Sequence, residues 1–202
     1  MAQQTKANDI LICGVGGQGT VLASRLIAQA AMGRGQFVRT AETIGMAQRG
    51  GCVVSHVRIE SQDKGALIPP GGADTLIAFE IAEAVRCLPF LKPGGRVIVN
   101  QRTIVPVTSA LGAAPYEKEA ILAALQAHAP DALFVPADEL ALRAGSAKAG
   151  NTVLLGACIA CGLLDFDLEY MRQVLAQSVP ARFKEINLQA LESGYQYLHA
   201  GR

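Results

Sequence analysis

Charge is scarce in this chain of 202 residues, and tryptophan is absent. Asp, Glu, Lys and Arg make up 17% of it, the net charge is +1, and aromatic residues are only 5%. So little excess charge gives no reason to expect a nucleic-acid backbone or an anionic membrane surface as partner. No apolar run reaches the ~18 residues needed to cross a bilayer. Met1 to Asp9 is polar and lacks the apolar centre of a signal peptide. The expectation is a cytoplasmic protein with neither nucleic acid nor membrane as partner. Five cysteines, Cys13, Cys52, Cys87, Cys158 and Cys161, are odd in number and widely spaced. They form no disulfide framework and lack the closely repeated spacing of an iron–sulfur ligand set. His56, His128 and His199 have no neighbouring ligand at metal spacing. No nucleophile–base pair and no paired catalytic carboxylates stand out, so neither catalytic nor metal-binding residues are assigned.

Apolar residues are what the chain has in quantity. Half of it is hydrophobic, with a mean hydropathy of +0.28, a balance that suits a surface partly covered by another subunit. At this length one α/β domain, residues 1–202, can bury its core without disulfides or metals. No internal repeat, low-complexity tract or linker divides it. Apolar runs at Ile10–Val15, Gln36–Arg39, Val53–Ile59, Thr75–Phe79, Arg96–Asn100 and Leu133–Val135 read as strands. Gly65–Ile68 is expected to pair with Val53–Ile59, and Ile104–Val107 to form a short extension. Helices are expected over Thr20–Met32, Ile81–Leu91, Tyr116–His128, Asp138–Arg143, Thr152–Leu164, Leu168–Gln177 and Ala181–Leu198. Asp138 is expected to cap its helix. The Cys158-x-x-Cys161 pair falls within an apolar helical face and reads as core packing rather than redox or metal chemistry. Strands alternating with helices predict a mostly parallel sheet covered by helices on both faces, with a helical C-terminus.

The densest signal is Ile10-Leu11-Ile12-Cys13-Gly14-Val15-Gly16-Gly17-Gln18-Gly19, a strand feeding four glycines and then a helix. Such a Rossmann-like first turn aims backbone N–H groups and a helix N-terminus at an anion, although a plain tight turn is the alternative. Gly14, Gly16 and Gly19 fit the dinucleotide spacing, but Arg39 stands where a bare ribose would ask for an acid. A second constellation, Met46-Ala47-Gln48-Arg49-Gly50-Gly51, sets an arginine beside two glycines. It permits close backbone approach and pairing with a carboxylate or phosphate, against the alternative of a solvated loop.

Three stretches then resemble one family. Gly14–Gly19, Glu42-Thr43-Ile44-Gly45-Met46-Ala47-Gln48-Arg49-Gly50-Gly51 and Ser55-His56-Val57-Arg58 are similar to the gamma subunit of 2-oxoacid:ferredoxin oxidoreductases. The likeness continues through Ala73–Glu80, Leu91–Gly95, Val99-Asn100, Ala149–Gly156, Asn187 and Gly194, and so covers most of the chain. The Gly-Met-Ala-Gln-Arg-Gly-Gly wording is most like the beta subunit of the indolepyruvate branch, although Ile44 replaces the histidine usual there. The resemblance implies a subunit inactive alone, in a complex that converts a 2-oxoacid and coenzyme A to acyl-CoA, carbon dioxide and reduced ferredoxin. It implies thiamine diphosphate and iron–sulfur clusters on catalytic alpha- and beta-type partners, with no cofactor held firmly by this chain. Gly14, Gly16, Gly17, Gln18, Gly19, Arg49, Gly50, Gly51 and Asn151 would then border the coenzyme A and active-site approach. Ferredoxin is reached through the complex, and the isolated chain is expected to be a homodimer. A free-standing NAD(P)-binding reductase and a pure assembly subunit are the competing readings.

Overall fold

The computed structural model describes residues 7–44, 51–106, 109 and 115–200. Six strands form one sheet: β1 (Asn8–Val15), β2 (Val38–Ile44), β3 (Cys52–Ile59), β4 (Ala73–Ala78), β5 (Leu91–Asn100) and β6 (Leu133–Val135), in the order β2-β3-β1-β4-β5-β6. β1, β4, β5 and β6 pair in parallel, whereas β3 is antiparallel to both β1 and β2. The sheet is therefore mostly parallel, as its apolar strands predict. β3 is the exception because the short 45–51 connection allows only a hairpin-like return.

Helices lie on both faces. Ile10 and Ile12 point into a core with α1 (Thr20–Gly33), α4 (Ala137–Arg143), α5 (Gly150–Ala160), α6 (Leu168–Ser178) and α7 (Ala181–His199). Leu11 and Cys13, one residue out of phase, pack on the other face against α2 (Ile81–Cys87) and α3 (Lys118–His128). Two-residue alternation along β1 thus serves two cores at once. α1 is Ala-rich and stops where Gly35, at φ +75°, lets the amides of Gly35 and Gln36 turn back onto the carbonyls of Met32 and Ala31. Cys158 and Cys161 are buried in the larger core, as core packing requires.

Several expected elements differ. β2 runs on to Ile44, although Thr40–Ile44 reads as irregular from its polar residues; as the edge strand it leaves Thr40, Glu42 and Thr43 exposed. Gly65–Ile68 is not a strand. It is held by side chains instead: Arg58 donates to the carbonyls of Gly65 and Leu67, and the Ile68 amide donates to His56 Nδ1 at 3.2 Å. β5 begins at Leu91, before the Pro-Gly-Gly expected to precede it, because a register shift opposite Ala73–Thr75 absorbs those residues. α2 gives way to a short 3-10 turn at Leu88–Phe90. The described part of the expected 104–107 extension joins no strand, and the Ile104 amide donates to Glu80 Oε1 at 3.2 Å instead. Val107 lies outside the described residues.

His56 carries a pH consequence. Burial, and then the charge of Arg58, push its pKa down, so the folded state keeps the ring neutral. The unfolded ring takes up a proton near pH 6.5, and the folded ring does so only at lower pH. Stability from this group is present above about pH 6.5 and is lost as pH falls below it. Thermal melts of the isolated chain between pH 7 and 5 should show this fall, and His56→Gln should flatten it. An unchanged slope in the variant would remove His56 as its source.

Candidate functional site at the carboxyl edge

The chain leaves β1 toward β2 on one side and places β4 on the other, so the order reverses between β1 and β4. Open α/β sheets bind ligands outside the carboxyl ends of their strands at such a point. A cleft of about 340 Å³ lies there, bounded by Gly16, Gly17, Phe79, Asn100, Lys148 and Asn151 among others. A neighbouring crevice of about 630 Å³ shares Asn100, Arg102 and Asp138 with it and extends toward Lys118, Leu122 and Phe134. The larger groove of about 940 Å³ is at the opposite edge, between the start of β5 and the end of α3.

The turn residues divide by role. Gln18 bolts the strand ends together: its Oε1 accepts from the Val15 amide at 2.7 Å and its Nε2 donates to the Phe79 carbonyl at 2.8 Å. Gly14 makes room for that bolt, since a Cβ there would meet Gln18 Oε1 at 2.8 Å and Phe79 Cβ at 2.9 Å. The Gly16 amide donates to the Gly51 carbonyl at 2.8 Å, joining the turn to the start of β3. Gly17, at φ +98°, faces open space, and Gly19, at φ +85°, caps α1 without a side chain. Among the described residues the amides of Gly17, Gly19 and Thr20 have no hydrogen-bond partner. They are the donors left for an anion.

Asn151, in the first turn of α5, closes the other wall. It is 4% exposed; its Oδ1 accepts from the Thr152 amide at 2.9 Å, and its Nδ2 would lie 2.7 Å from any Cβ at Gly19. The beginnings of α1 and α5 therefore meet at one cleft. Asp138 is not the expected cap, because the capping position of α4 is Pro136. Its carboxylate instead pairs with Arg102 at 2.9 Å, accepts from Asn100 Nδ2 at 3.2 Å, and stands 3.3 Å from where a Cβ of Gly150 would be. Asn100 Oδ1 in turn accepts from the Ala137 amide at 3.0 Å. Sequence reasoning singled out none of Asn100, Arg102 and Lys148 for the site. The available signal was position: Asn100 ends a buried strand at the ligand-binding edge, and Lys148 stands two residues before a helix begins.

Arg39 is at the wrong end of the sheet for a ribose phosphate. It opens β2, in register with Arg58 and through it with Asp9 at the amino edge of β1, and it donates to the Lys64 carbonyl. Arg49 and Gly50 lie outside the described residues. Among the described residues, no three His, Cys, Asp or Glu side chains converge as metal ligands, and no helix is long and apolar enough to cross a membrane.

Residues 9–197 match the family model described as pyruvate ferredoxin/flavodoxin oxidoreductase. The chain belongs to that family. It is 42% identical over 195 residues to the indolepyruvate oxidoreductase subunit IorB of Archaeoglobus fulgidus, covering 96% of each chain. It is 36% identical to the IorB subunit of Pyrococcus horikoshii, over 94% of this chain and 95% of that one. The fold is that of the keto/oxoacid ferredoxin oxidoreductase gamma subunit of Geobacter sulfurreducens, with a TM-score of 0.69, 23% identity, and coverage of 96% and 99% of the two chains. It also matches 32% of a 2-oxoglutarate:ferredoxin oxidoreductase from Magnetococcus marinus, with 2-oxoglutarate, coenzyme A and succinyl-CoA bound, at a TM-score of 0.71 and 21% identity over 98% of this chain. The protein is thus a subunit of a 2-oxoacid:ferredoxin oxidoreductase, and the free-standing reductase is set aside.

Proposed function

We propose that this subunit completes the coenzyme A approach of an oxidoreductase acting on aryl pyruvates. The single observation behind the reading is the carboxyl-edge cleft, where the turn amides of Gly17, Gly19 and Thr20, without a partner among the described residues, meet the start of a second helix. Such a cleft suits a phosphate, and coenzyme A brings phosphates to the reaction. The aryl pyruvate assignment follows from the names of the IorB relatives. The oxidative chemistry belongs to thiamine diphosphate and iron–sulfur clusters on catalytic partner subunits, which pass electrons to ferredoxin. Arg49 is assigned to the same approach as a two-pronged donor, flanked by Gly50 and Gly51. One domain over residues 1–202, self-association of the isolated chain and a cytoplasmic location complete the proposal.

The test is steady-state kinetics of the complex reconstituted with its catalytic subunits, varying coenzyme A and 2-oxoacid separately. Gly17 has a positive φ and open space around it, and Asp and Asn are the non-glycine residues that accept such a backbone best. Gly17→Asp should raise the KM for coenzyme A by about 10-fold or more, the scale of one charge-assisted contact. Gly17→Asn, of the same shape without the charge, should change it little. A wild-type coenzyme A constant in Gly17→Asp, or an increase in the oxoacid constant alone, would overturn the reading.

A further inference from the structure

The charged side chains of the cleft are not equivalent. Arg102 is already paired with Asp138 at 2.9 Å, and Asp138 also accepts from Asn100. Lys148 is exposed, sits in the short 3-10 turn Ala147–Ala149 just before α5, and lines the same cleft as Gly16 and Gly17. Among the described residues its ammonium group has no partner, whereas its backbone amide is fixed by Ser146 Oγ at 3.3 Å. Among the described residues, the cleft therefore sets a neutralised cation, Arg102, beside a free one, Lys148, the latter held at its rim by a capped turn.

We propose that Lys148 selects the ligand by pairing with a phosphate of coenzyme A, and that Asp138 weakens the same site by occupying Arg102. This rests on the coenzyme A reading above. Lys148 and the α1 terminus present positive potential from two walls of a cleft about 340 Å³ in volume, which is large enough for a phosphorylated ribose rather than an inorganic ion alone. A lone ammonium acts as a point charge, so it recognises phosphate without demanding a fixed orientation. Asp138 has the opposite effect. Its carboxylate lies beside the start of α5, at Gly150, and holds the guanidinium that would otherwise add a second positive charge.

The two residues make predictions of opposite sign, which general damage to the fold would not produce. In the reconstituted complex, Lys148→Ala should weaken coenzyme A about 10-fold, read both as KM and as a Kd from calorimetry without 2-oxoacid. Asp138→Asn keeps an acceptor for Asn100 but frees Arg102, and should tighten coenzyme A about threefold in both measurements. Comparison with 3′-dephospho-CoA locates the contact. A loss confined to coenzyme A places Lys148 at the 3′-phosphate, and an equal loss with both ligands places it at the diphosphate. If Lys148→Ala leaves both constants at wild type while Gly17→Asp raises them, the turn reading stands and the Lys148 assignment is wrong. If neither variant moves them, both fall. Weaker binding in Asp138→Asn would overturn the competitor role of Asp138.

Discussion

Alanine at Gly156 or Gly194 should stop two core helices from docking. α5 and α7 cross with their backbones touching, and each glycine sits against the other helix. A Cβ at Gly156 would lie 1.9 Å from the Leu191 carbonyl oxygen, and one at Gly194 would lie 1.9 Å from that of Val153. Backbone atoms cannot rotate aside as a flexible side chain can, so the helices must separate. α5 has no solvent-facing side to absorb the movement: Val153, Leu154, Leu155, Ala157 and Cys158 are all at most 1% exposed. Overpacking ordinarily costs about 1–3 kcal/mol, and this crossing belongs at or above the top of that range. For a chain of this size, each kcal/mol corresponds to roughly 2–4 °C in Tm. Either variant should therefore melt about 10 °C lower or fail to accumulate as soluble protein. Gly65→Ala is the control, since Gly65 has an ordinary φ and a Cβ added there would meet nothing within 4 Å. A Tm for Gly156→Ala within about 2 °C of wild type would disprove the crossing.

That crossing also marks where sequence reading stops. Gly156 and Gly194 stand out only as letters in a family pattern; nothing nearby says that they face each other from two separate helices. Elements governed by local periodicity are legible. β1, α1, β4 and α7 fall within a few residues of where their apolar spacing puts them, and the two-faced sheet follows from strands without polar alternation. β2 is misread because an edge strand pairs on one side only and tolerates exposed threonines and a glutamate. Gly65–Ile68 is misread because the hydrogen bonds that order it come from the side chains of Arg58 and His56, which propensity does not register.

The turn after β1 was legible in the sequence, but the part each of its residues plays in the fold was not. Gly14 and Gln18 both help to build that turn, Gln18 through its bonds to Val15 and Phe79. Spacing cannot separate a glycine that admits a ligand from one that admits a neighbouring side chain. Asp138 shows the same limit: a carboxylate at the start of a helix is ordinarily explained by that helix, whereas here it pairs with Arg102 and accepts from Asn100.

Removing one member of the Asp9–Arg58 pair should be the other severe change. Both side chains are 4% exposed. Arg58 Nε donates to Asp9 Oδ1 at 3.0 Å and its terminal nitrogen to Oδ2 at 2.6 Å, while Ser61 Oγ donates to Oδ1 at 2.9 Å. Arg58→Met would strand a buried carboxylate, with the half-exposed Lys64 at 3.4 Å as its remaining counter-charge among the described residues. It would also release the carbonyls of Gly65 and Leu67. Breaking such a pair costs about 3–5 kcal/mol, to be read as a shifted denaturation midpoint at pH 7. Combining it with Asp9→Leu should recover part of the loss, because no charge is then left unpaired; the freed carbonyls keep the recovery incomplete. A double variant as unstable as the sum of the two single ones would contradict the ion-pair account. The pH dependence gives an independent check. Burial alone would raise the Asp9 carboxyl, but the hydrogen bonds from Arg58 and Ser61 and the charges of Arg58 and Lys64 outweigh it and hold the pKa low. Its contribution is therefore present above the unfolded value of about 3.9 and is lost as pH falls below that. The His56 loss begins near pH 6.5, so the two can be separated in one titration. The Asp9→Leu, Arg58→Met pair should flatten the limb below about pH 4 and, because the Arg58 charge also lowers the His56 pKa, soften the limb above it. His56→Gln should flatten the upper limb and leave the lower one unchanged.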